Sequence, residues 1–406
     1  MKKVIVTVKE IKAALKAHSL IIAKRTTLPI LGTVKLKANT TWLGIDGTDL
    51  DLFLSNGVTS SQESEAWETC APFHDLKTFV DGCSKSGNVS IEFEQETVGE
   101  GKYPVTLDRL NLTEVETGIK RTLKDCLSKD EFPPRLETST KFSILRRMDC
   151  LLPMTCWAAS TQESRYVLNG VHIETDTEND RLIAVATDGR RLSLADIGLG
   201  YDPGEKVSET IPSHALEVVK HMMKDNEDGG NVEFWHPKRN AKGEYEGTPW
   251  AAFSFTNGRL GVRVIDGTYP NWRQVVPSDM AERYAIKVNA KEFHGVLSRL
   301  CKTVKGTSAN SITFTPKPDS LHLSNTKHAV EMSVAAKVDS SDNWTASAFD
   351  PCLMVDAVKA YMDAGAADVK ILAKPADFGS GCLVMEPVQQ TDSKRPFFIQ
   401  MPMRMA

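Results

Sequence analysis

The sequence lacks the short motifs by which many enzymes bind phosphate, coordinate zinc or activate a nucleophile. It contains no glycine-rich loop that ends in Lys-Ser or Lys-Thr, no HExxH pair, no CxxC pair and no GxSxG elbow. Each of these motifs sets side chains or backbone N–H groups at the spacing that one type of chemistry needs. We therefore expect no catalytic residue, no cofactor and no metal, and a protein that is not an enzyme.

The chain also has few features of secreted, membrane or strongly basic proteins. Its eight cysteines follow no regular spacing, which favours free thiols in a reducing compartment over a disulfide framework. The N-terminal segment lacks the apolar core of a signal peptide, and no apolar run reaches membrane-spanning length. The net charge of −4 argues against coating of nucleic acid by bulk charge, but allows lysines gathered on one surface. We expect a cytoplasmic protein without membrane association.

What the sequence does contain is a structural pattern that occurs three times. Pro72, Pro212 and Pro351 recur at a spacing of about 140 residues. Each proline opens a run that predicts a helix, because proline is accommodated in the first helical turn. A β-like segment follows each run, at residues 89–93, 232–235 and 369–372. Self-similarity over such a long period indicates repeated domains, and favours a scaffold or ring over a single catalytic pocket.

Each third of the chain also begins with a strand and a helix. Residues 4–8 predict a strand and residues 9–16 a helix; residues 284–289 precede a helix with Phe293 and Leu297 inward. In the second third, residues 144–152 predict a helix that Pro153 stops. Alternating strands between the helices predict antiparallel hairpins. We expect an α+β fold of three repeated domains, 1–138, 139–279 and 280–406, each with a helix pair packed on antiparallel sheets.

Two polar stretches interrupt this pattern, at residues 94–118 and 238–247, and both are predicted to be solvated loops. Basic residues, in contrast, concentrate on the predicted repeat helices of an acidic protein. A solvated face is the simplest interpretation of any one lysine. Recurrence across the thirds indicates a shared positive surface that attracts phosphates without reading sequence. The residues expected to attract phosphates in this way are Lys9, Lys12, Arg146, Arg147, Lys220 and Lys302.

Several short motifs lie in order along nearly the whole chain. They are Thr27-Leu28-Pro29-Ile30-Leu31-Gly32, Gly47-Thr48-Asp49-Leu50, Arg165-Tyr166-Val167-Leu168-Asn169-Gly170, Ala186-Thr187-Asp188-Gly189-Arg190-Arg191-Leu192, Asp266-Gly267-Thr268-Tyr269-Pro270-Asn271-Trp272 and Met401-Pro402-Met403-Arg404. With these motifs the chain resembles the beta subunit family of bacterial DNA polymerase III, the replicative sliding clamps. The resemblance agrees with the threefold repeat, which was found from other residues.

The resemblance implies a head-to-tail homodimer that closes a ring of six similar domains. Such a ring encircles double-stranded DNA without sequence specificity and tethers the replicative polymerase, which raises the polymerase concentration at the primer end. A clamp loader and other proteins with clamp-binding motifs are the further partners that it implies. Carried over by position, Arg25 and Gln162 are the expected DNA-contacting loop residues, and Leu123 and Val304 are candidates for the subunit interface.

The resemblance also implies a cleft for partner peptides. A C-terminal Met-Pro-Met run beside apolar side chains would make an adaptable apolar groove for a short peptide. The positions that match the family's cleft are Leu168, Thr187, Gly189, Arg190, Arg191, Leu192, Pro270, Val275, Ile399, Met401, Pro402, Met403 and Arg404. Packing of the second domain on the third is the alternative role for these residues. Gln274, Gln400 and Ala406 depart from the commonest family pattern, which bears on peptide preference more than on the fold.

Two other functions stay open at this stage. Asp46, Asp49 and Asp51 would bind a metal in a nucleic-acid-modifying enzyme, although they lack the spaced ligands and closing glutamate of a calcium loop. Metal-dependent turnover of DNA would favour that alternative. The other is a repeat-built scaffold that does not bind DNA, which would show no salt-dependent retention on any duplex.

Overall fold

The computed structural model describes most of the chain, namely residues 1–98, 105–134, 141–204, 206–224, 231–236, 247, 249–306, 310–339, 344–374, 381–388 and 396–403. Within these ranges the chain forms twenty-four β-strands and six α-helices. They fall into three successive groups, and each group has the same order: a strand, a helix, four strands, a second helix and three strands.

The bounds of the elements follow the chain. The first group comprises β1 (Lys3–Thr7), α1 (Val8–His18), β2 (Thr33–Asn39), β3 (Trp42–Thr48), β4 (Leu52–Thr59), β5 (Trp67–Pro72), α2 (Phe73–Gly82), β6 (Asn88–Val98), β7 (Val105–Glu114) and β8 (Lys120–Cys126). The second comprises β9 (Lys141–Leu145), α3 (Met148–Thr155), β10 (Gly170–Asp176), β11 (Arg181–Thr187), β12 (Arg191–Gly198), β13 (Ser208–Pro212), α4 (Ser213–Met223), β14 (Asn231–His236), β15 (Trp250–Phe255) and β16 (Gly258–Arg263). The third comprises β17 (Tyr284–Asn289), α5 (Ala290–Val304), β18 (Ile312–Lys317), β19 (Ser320–Asn325), β20 (Val330–Val338), β21 (Ser347–Phe349), α6 (Pro351–Asp363), β22 (Asp368–Ala373), β23 (Leu383–Pro387) and β24 (Phe397–Gln400).

The three repeated prolines lie at the start of equivalent helices, as the sequence predicts. Pro72 and Pro212 immediately precede α2 and α4, and Pro351 is the first residue of α6. The β-like segments that follow them in sequence belong to β6, β14 and β22. The proline helices and the strands after them are therefore confirmed.

Helix α5 illustrates why these sequences form their elements. The Asn289 side chain caps the helix by accepting a 3.1 Å hydrogen bond from the Glu292 N–H, which satisfies a donor that the first turn leaves free. The apolar positions recur at helical spacing, and Phe293, Leu297 and Leu300 are fully buried. The opposite side carries the exposed basic residues Lys291, Arg299, Lys302 and Lys305.

All strand pairs are antiparallel, and they build three sheets among the described residues. The four-stranded sheet has the order β1-β6-β7-β8, and the eight-stranded sheet has the order β5-β2-β3-β4-β16-β15-β14-β9. The twelve-stranded sheet has the order β13-β10-β11-β12-β24-β23-β22-β17-β20-β19-β18-β21. Successive groups thus join at two equivalent seams, where β4 pairs with β16 and β12 pairs with β24. Helices on antiparallel sheets confirm the α+β class.

The chain divides into two compact units. The first unit contains residues 1–146 and 214–264, and the second contains residues 147–213 and 265–406. An apolar cluster of the first unit includes Val4, Ile11, Leu36, Leu76 and Ile91, all of them buried. The second unit contains the twelve-stranded sheet, on which the candidate cleft lies.

The second group corrects the helix predicted over residues 144–152. Ile144 and Leu145 belong to β9, and α3 begins only at Met148, so Arg146 and Arg147 lie in the link between strand and helix. Pro153 lies inside α3 and does not stop it. The reason is tertiary packing: α3 is short and buries Met148, Leu151, Leu152 and Met154, which outweighs the hydrogen bond that proline cannot donate.

The first polar stretch is also corrected, because β6 extends to Val98 and β7 covers Val105–Glu114. These strands pair along their whole length, so most of the predicted loop at 94–118 is a hairpin. Residues 94–97 of this hairpin are all polar and exposed, whereas Leu110 and Leu112 of β7 are buried. Of the second stretch, only Gly247 lies within the described residues.

The expectation of free thiols throughout is wrong for one pair of cysteines. Cys301 in α5 and Cys352 in α6 form a disulfide with a Cα–Cα distance of 4.9 Å. Sequence spacing could not reveal this pair, because 51 residues separate the two cysteines and only helix packing brings them together. The other six cysteines are free thiols. Across the described ranges, no helix is both long and apolar enough to cross a membrane.

Candidate functional site

The turn between β11 and β12 is the best-defined part of the candidate cleft. The Asp188 carboxylate accepts hydrogen bonds from the backbone N–H groups of Arg190 (2.9 Å) and Arg191 (3.0 Å). Gly189 has a φ of +85°, and a Cβ there would lie 2.6 Å from Nη1 of Arg165. Glycine adopts this backbone angle without strain, and the absence of a Cβ leaves room for the Arg165 guanidinium.

Arg191 is the polar centre that ties this turn to its surroundings. Its guanidinium donates to the backbone oxygens of Leu353 (3.0 Å) and Trp157 (2.7 Å), and it forms ion pairs with Asp188 and Asp356. The side chain is only 11% exposed. Arg190, by contrast, is 64% exposed and lies 3.9 Å from the Asp350 carboxylate. Of the two predicted arginines, Arg191 supports the fold and Arg190 faces solvent.

Beside this turn lies an apolar floor that several predicted cleft residues share. Leu168, Leu192 and Ile399 belong to one cluster of buried side chains, together with Tyr269 and Trp272. The register of β12 and β24 sets Leu192 directly opposite Ile399. Leu168 is 8%, Leu192 4% and Ile399 2% exposed, so these side chains form a base that a bound peptide would cover.

Two exposed apolar side chains lie close in sequence to residues of this floor. Met401 follows β24 and is 49% exposed, and Val275 is 44% exposed. The backbone holds the Met-Pro-Met run at two points: Met401 N–H donates to the oxygen of Arg190 (3.4 Å), and Met403 N–H donates to that of Ala348 (2.7 Å). Pro270 is exposed, and Pro402 and Met403 are partly buried. Arg404 and Ala406 lie outside the described residues.

The polar residue Gln400 is explained by the helix beside it. Gln400 is 1% exposed, and its Nε2 donates a 3.1 Å hydrogen bond to the backbone oxygen of Asp350. The Asp350 carboxylate caps α6 by accepting from the Cys352 N–H (3.0 Å) and also accepts from Asn310 (3.0 Å). Burial raises the pKa of Asp350, although Arg190 and Arg191 oppose that shift. Gln400 therefore links β24, the strand that precedes Met401, to the start of α6.

A second polar cluster holds the segment that carries Pro270 and Val275. Arg273 forms an ion pair with Glu174 and lies over the Trp272 ring at 4.3 Å. His172 stacks on Tyr269 with ring centroids 4.7 Å apart. Burial by itself raises the pKa of Glu174, but the contacts with His172 and Arg273 outweigh burial and lower it to about 2. This segment is thus fixed to β10 by ionic and aromatic contacts.

The equivalent seam in the first unit has a different chemistry. There Arg263 takes the place of Met401: its N–H donates to the oxygen of Asp51 (2.9 Å), as Met401 does to Arg190. The Arg263 guanidinium pairs with Asp51 (3.5 Å) and lies over the Trp250 ring at 5.6 Å. The same backbone geometry thus carries a charged side chain at one seam and an exposed methionine at the other.

Most of the residues predicted to contact DNA are exposed. In the first unit, Arg25 lies in the link between α1 and β2, Lys9 lies on α1, Lys220 lies on α4, and Arg146 lies just after β9. In the second unit, Arg147, Gln162 and Lys302 are exposed. Lys12 differs, because its Nζ donates to the backbone oxygens of Asp81 (3.2 Å) and Cys83 (3.0 Å) at the end of α2. Its charge compensates unpaired carbonyls there.

The acidic loop that could have served a metal instead builds a turn. The Asp49 carboxylate accepts from the N–H groups of Asp51 (3.0 Å) and Leu52 (2.7 Å). Asp46 accepts from Ser55 and lies 3.6 Å from Lys37, and Asp51 pairs with Arg263. No group of three or more potential metal ligands occurs in the part of the chain that the structure describes. The three carboxylates are therefore used by the fold.

The two interface candidates have their side chains inside the chain. Leu123 on β8 is 3% exposed and Val304 on α5 is fully buried. Neither side chain has a surface to offer a second subunit, although β8 is the last strand of its sheet.

Several residues of the site were not singled out from the sequence as site residues. Trp272 and Tyr269 lie within a quoted motif, and the Asp-Pro pair at residues 350–351 is a helix-start signal. Arg165 also lies within a quoted motif, whereas Trp157 and the Glu174–Arg273 pair had no signal, because their partners are distant in sequence.

Comparison with known proteins places this arrangement in a family. Two models of the DNA polymerase III beta subunit match the chain, the N-terminal domain at residues 2–117 and the central domain at residues 146–271. The beta sliding clamp of Caulobacter vibrioides (strain NA1000 / CB15N) is 25% identical over 310 residues, 75% of each chain. That of Bacillus subtilis (strain 168) is 24% identical over 364 residues, 87% of each.

Solved structures share the fold. The sliding clamp from Bartonella birtlesii, crystallised bound to griselimycin, superposes with a TM-score of 0.79 at 20% identity and covers 99% of both chains. The beta subunit from Thermotoga maritima has a TM-score of 0.76 at 20% identity and covers 100% of both.

A repeated α+β fold of this kind defines the protein class of the sliding clamps. The two family models together match more than half of the chain, and the chain belongs to the DNA polymerase III beta subunit family. It is a DNA sliding clamp, a non-catalytic processivity factor of DNA replication.

Proposed function

We propose that this clamp recruits the replicative polymerase and its other partners through one cleft in the second unit. The observation that carries the proposal is the contrast at β24: Ile399 is buried against Leu192, while Met401, two residues later, is half exposed. Exposed apolar side chains over a buried apolar floor bind amphipathic peptides, because the peptide removes both from water. The polymerase and the clamp loader would each insert a short apolar segment there.

The first unit supports a single cleft in each chain. Its equivalent seam carries Arg263 on a tryptophan ring in place of the methionine, and Asp51 in place of Arg190. An ion pair that already satisfies its own charges gives an apolar peptide little to bind. The second seam alone would then select partners, with Arg190 available to a carboxylate of the bound peptide.

DNA binding would use exposed basic residues and one glutamine, which lie on helices α1, α4 and α5 and in the links after α1, β9 and α3. Lys9, Arg25, Arg146, Arg147, Gln162, Lys220 and Lys302 would contact phosphates, which allows sliding because phosphates carry no sequence information. Lys12 would contribute to DNA binding only indirectly, by stabilising the end of α2. We assign this activity to the bacterial cytoplasm, and divide the chain into clamp domains at 1–138, 139–279 and 280–406.

The internal seams suggest how two chains would close a ring. In each seam the fourth strand of one group pairs with the eighth strand of the next, β4 with β16 and β12 with β24. The equivalent strands that remain are β20, which lies between β17 and β19 but whose residues 330–335 pair with β19 alone among the described strands, and β8, the last strand of its sheet. We propose that β20 of one chain pairs with β8 of another, head to tail, so that Leu123 takes part through its strand rather than its side chain. Val304 would support the interface only by holding α5.

The experiment for the cleft replaces Met401 and Met403 by alanine together. We expect loss of polymerase stimulation and of loading by the clamp loader, because both partners would use this cleft. The matched control is Ile119→Ala, because Ile119 is a 60% exposed apolar residue in the first unit. A direct measurement uses fluorescein-labelled griselimycin, here called the cleft probe, which we expect the double variant to bind at least about tenfold more weakly. Full stimulation by the double variant would contradict the proposal.

A further inference from the structure

The disulfide between α5 and α6 has no role in the function described so far. Cys301 lies in the last turn of α5, and Cys352 is the second residue of α6. Both cysteines are partly exposed, so small thiols and disulfides can reach them. The Cα–Cα distance of 4.9 Å lies within the usual range for disulfides, so the pair can open and close without rearrangement of the helices.

The residues on both sides of Cys352 contact the strands of the cleft. Before it, the backbone oxygen of Asp350 accepts the hydrogen bond from Gln400, which lies next to Met401. After it, the backbone oxygen of Leu353 accepts from Arg191, which lies next to Leu192. Cys352 itself donates its N–H to the cap of α6. The disulfide therefore fixes to α5 the helical turn that holds both β12 and β24.

We propose that Cys301 and Cys352 are a redox-modification site that sets the affinity of the partner-binding cleft. The reagents are a low-molecular-weight disulfide as oxidant and a small thiol as reductant. The inference rests on the proposed function of the cleft and adds its regulation. In the reduced state the first turn of α6 loses its covalent link to α5, and a partner must order that turn on binding.

The chemistry is thiol–disulfide exchange, which needs no metal. The thiolate of one cysteine attacks the small disulfide, forms a mixed disulfide and releases one small thiolate. The second cysteine thiolate then attacks the protein sulfur of the mixed disulfide and releases the second small thiol. Two protein thiols lose two protons and two electrons, and the small disulfide gains both and becomes two thiols.

The test compares the oxidised and reduced forms of the full chain. Alkylation of the denatured protein should label six cysteines before reduction and eight after it, in agreement with six free thiols and one disulfide. The dissociation constant of the cleft probe is then measured by fluorescence anisotropy in both states. We expect reduction to weaken binding about threefold to tenfold. Equal affinity in the two states would overturn the inference.

Variants separate this effect from other causes. Cys301→Ser should bind the probe as the reduced wild type does, whatever the redox state, and Cys126→Ser should keep the full redox response, because Cys126 is a free thiol of the first unit. Thermal unfolding of each variant monitors folding, and reduction of the wild type repeats the test without any substitution. Loss of the redox response in Cys126→Ser would contradict the assignment. If the Met401/Met403 double variant binds the probe in both states, the cleft itself is wrong; if only the redox response is absent, the cleft stands.

Discussion

Leu50 and Gly189 occupy the same position in two equivalent turns, and their φ angles are +83° and +85°. In both turns the preceding aspartate accepts hydrogen bonds from the two backbone N–H groups that follow, and a threonine hydroxyl accepts from the central residue. The repeat therefore extends to single hydrogen bonds, although one turn uses leucine where the other uses glycine.

Substitution of Leu50 by glycine should stabilise the protein. A left-handed backbone costs a residue with a Cβ about 1–2 kcal/mol, and the greater freedom of glycine in the unfolded chain removes part of this gain. We expect the free energy of unfolding to rise by about 0.5–1 kcal/mol in urea denaturation. Gly189→Ala should lower it, because a Cβ there also meets Arg165. A Leu50→Gly variant that is less stable than the wild type would contradict the backbone strain inferred at Leu50.

Arg191 and Arg190 should behave differently despite their adjacency. Arg191→Ala removes the guanidinium donor from one oxygen of Asp188 and from two backbone oxygens in a buried site, and we expect a loss of about 3 kcal/mol in the free energy of unfolding. Arg190→Ala is the matched control and should change stability by less than about 0.5 kcal/mol, since that side chain is exposed. Equal losses in the two variants would exclude the structural role given to Arg191.

Glu174 should contribute stability that depends on pH. Its folded pKa is about 2, below the ordinary value of 4.5, so the folded state favours the charged form. The contribution is therefore present above about pH 5 and is lost as the pH falls towards 2. Glu174→Gln should be less stable than the wild type at pH 7, and the difference should shrink with acid. Unfolding measured between pH 7 and pH 3 checks this; a difference that stays constant would show that the carboxylate charge is not responsible.

Lys9 and Lys12 lie on the same helix, and their substitutions should distinguish attraction to DNA from a contribution to the stability of the fold. Lys9→Ala should leave the unfolding free energy unchanged and reduce the salt dependence of DNA retention by about one phosphate contact. Lys12→Ala should cost about 1 kcal/mol of stability, because the carbonyls of Asp81 and Cys83 lose a charged donor. Retention on DNA at several salt concentrations, with urea unfolding beside it, distinguishes the two. An unchanged salt dependence in Lys9→Ala would remove that residue from the DNA surface.

The elements that the sequence predicted well are those with local signals. Pro351 and the spacing of Phe293, Leu297 and Leu300 determine their helices without help from distant residues. The helix around Pro153 begins only at Met148 and continues through the proline. It does so because the burial of Leu151 and Leu152 outweighs the local cost of proline. Strong tertiary packing overrides the helix propensity of a local segment.

The candidate site likewise combines features that the sequence predicts with features that depend on contacts between distant residues. Leu192 and Met401 lie in motifs that the family resemblance identifies, and β12 pairing with β24 brings them close together. The separate roles of Arg190 and Arg191 could not be predicted, since they depend on a carbonyl 162 residues away. The Cys301–Cys352 disulfide could not be predicted for the same reason, because contacts between distant residues produce no pattern in the local sequence around either cysteine.

The central claim is that two chains joined through β8 and β20 enclose DNA in a closed ring, and topology tests it most directly. The clamp is loaded onto nicked circular DNA, and half of the sample is then cut once with a restriction enzyme. We predict that the protein stays on the circle through gel filtration at moderate salt and leaves the linear molecule by sliding off its ends. Equal retention on circular and linear DNA would contradict encirclement.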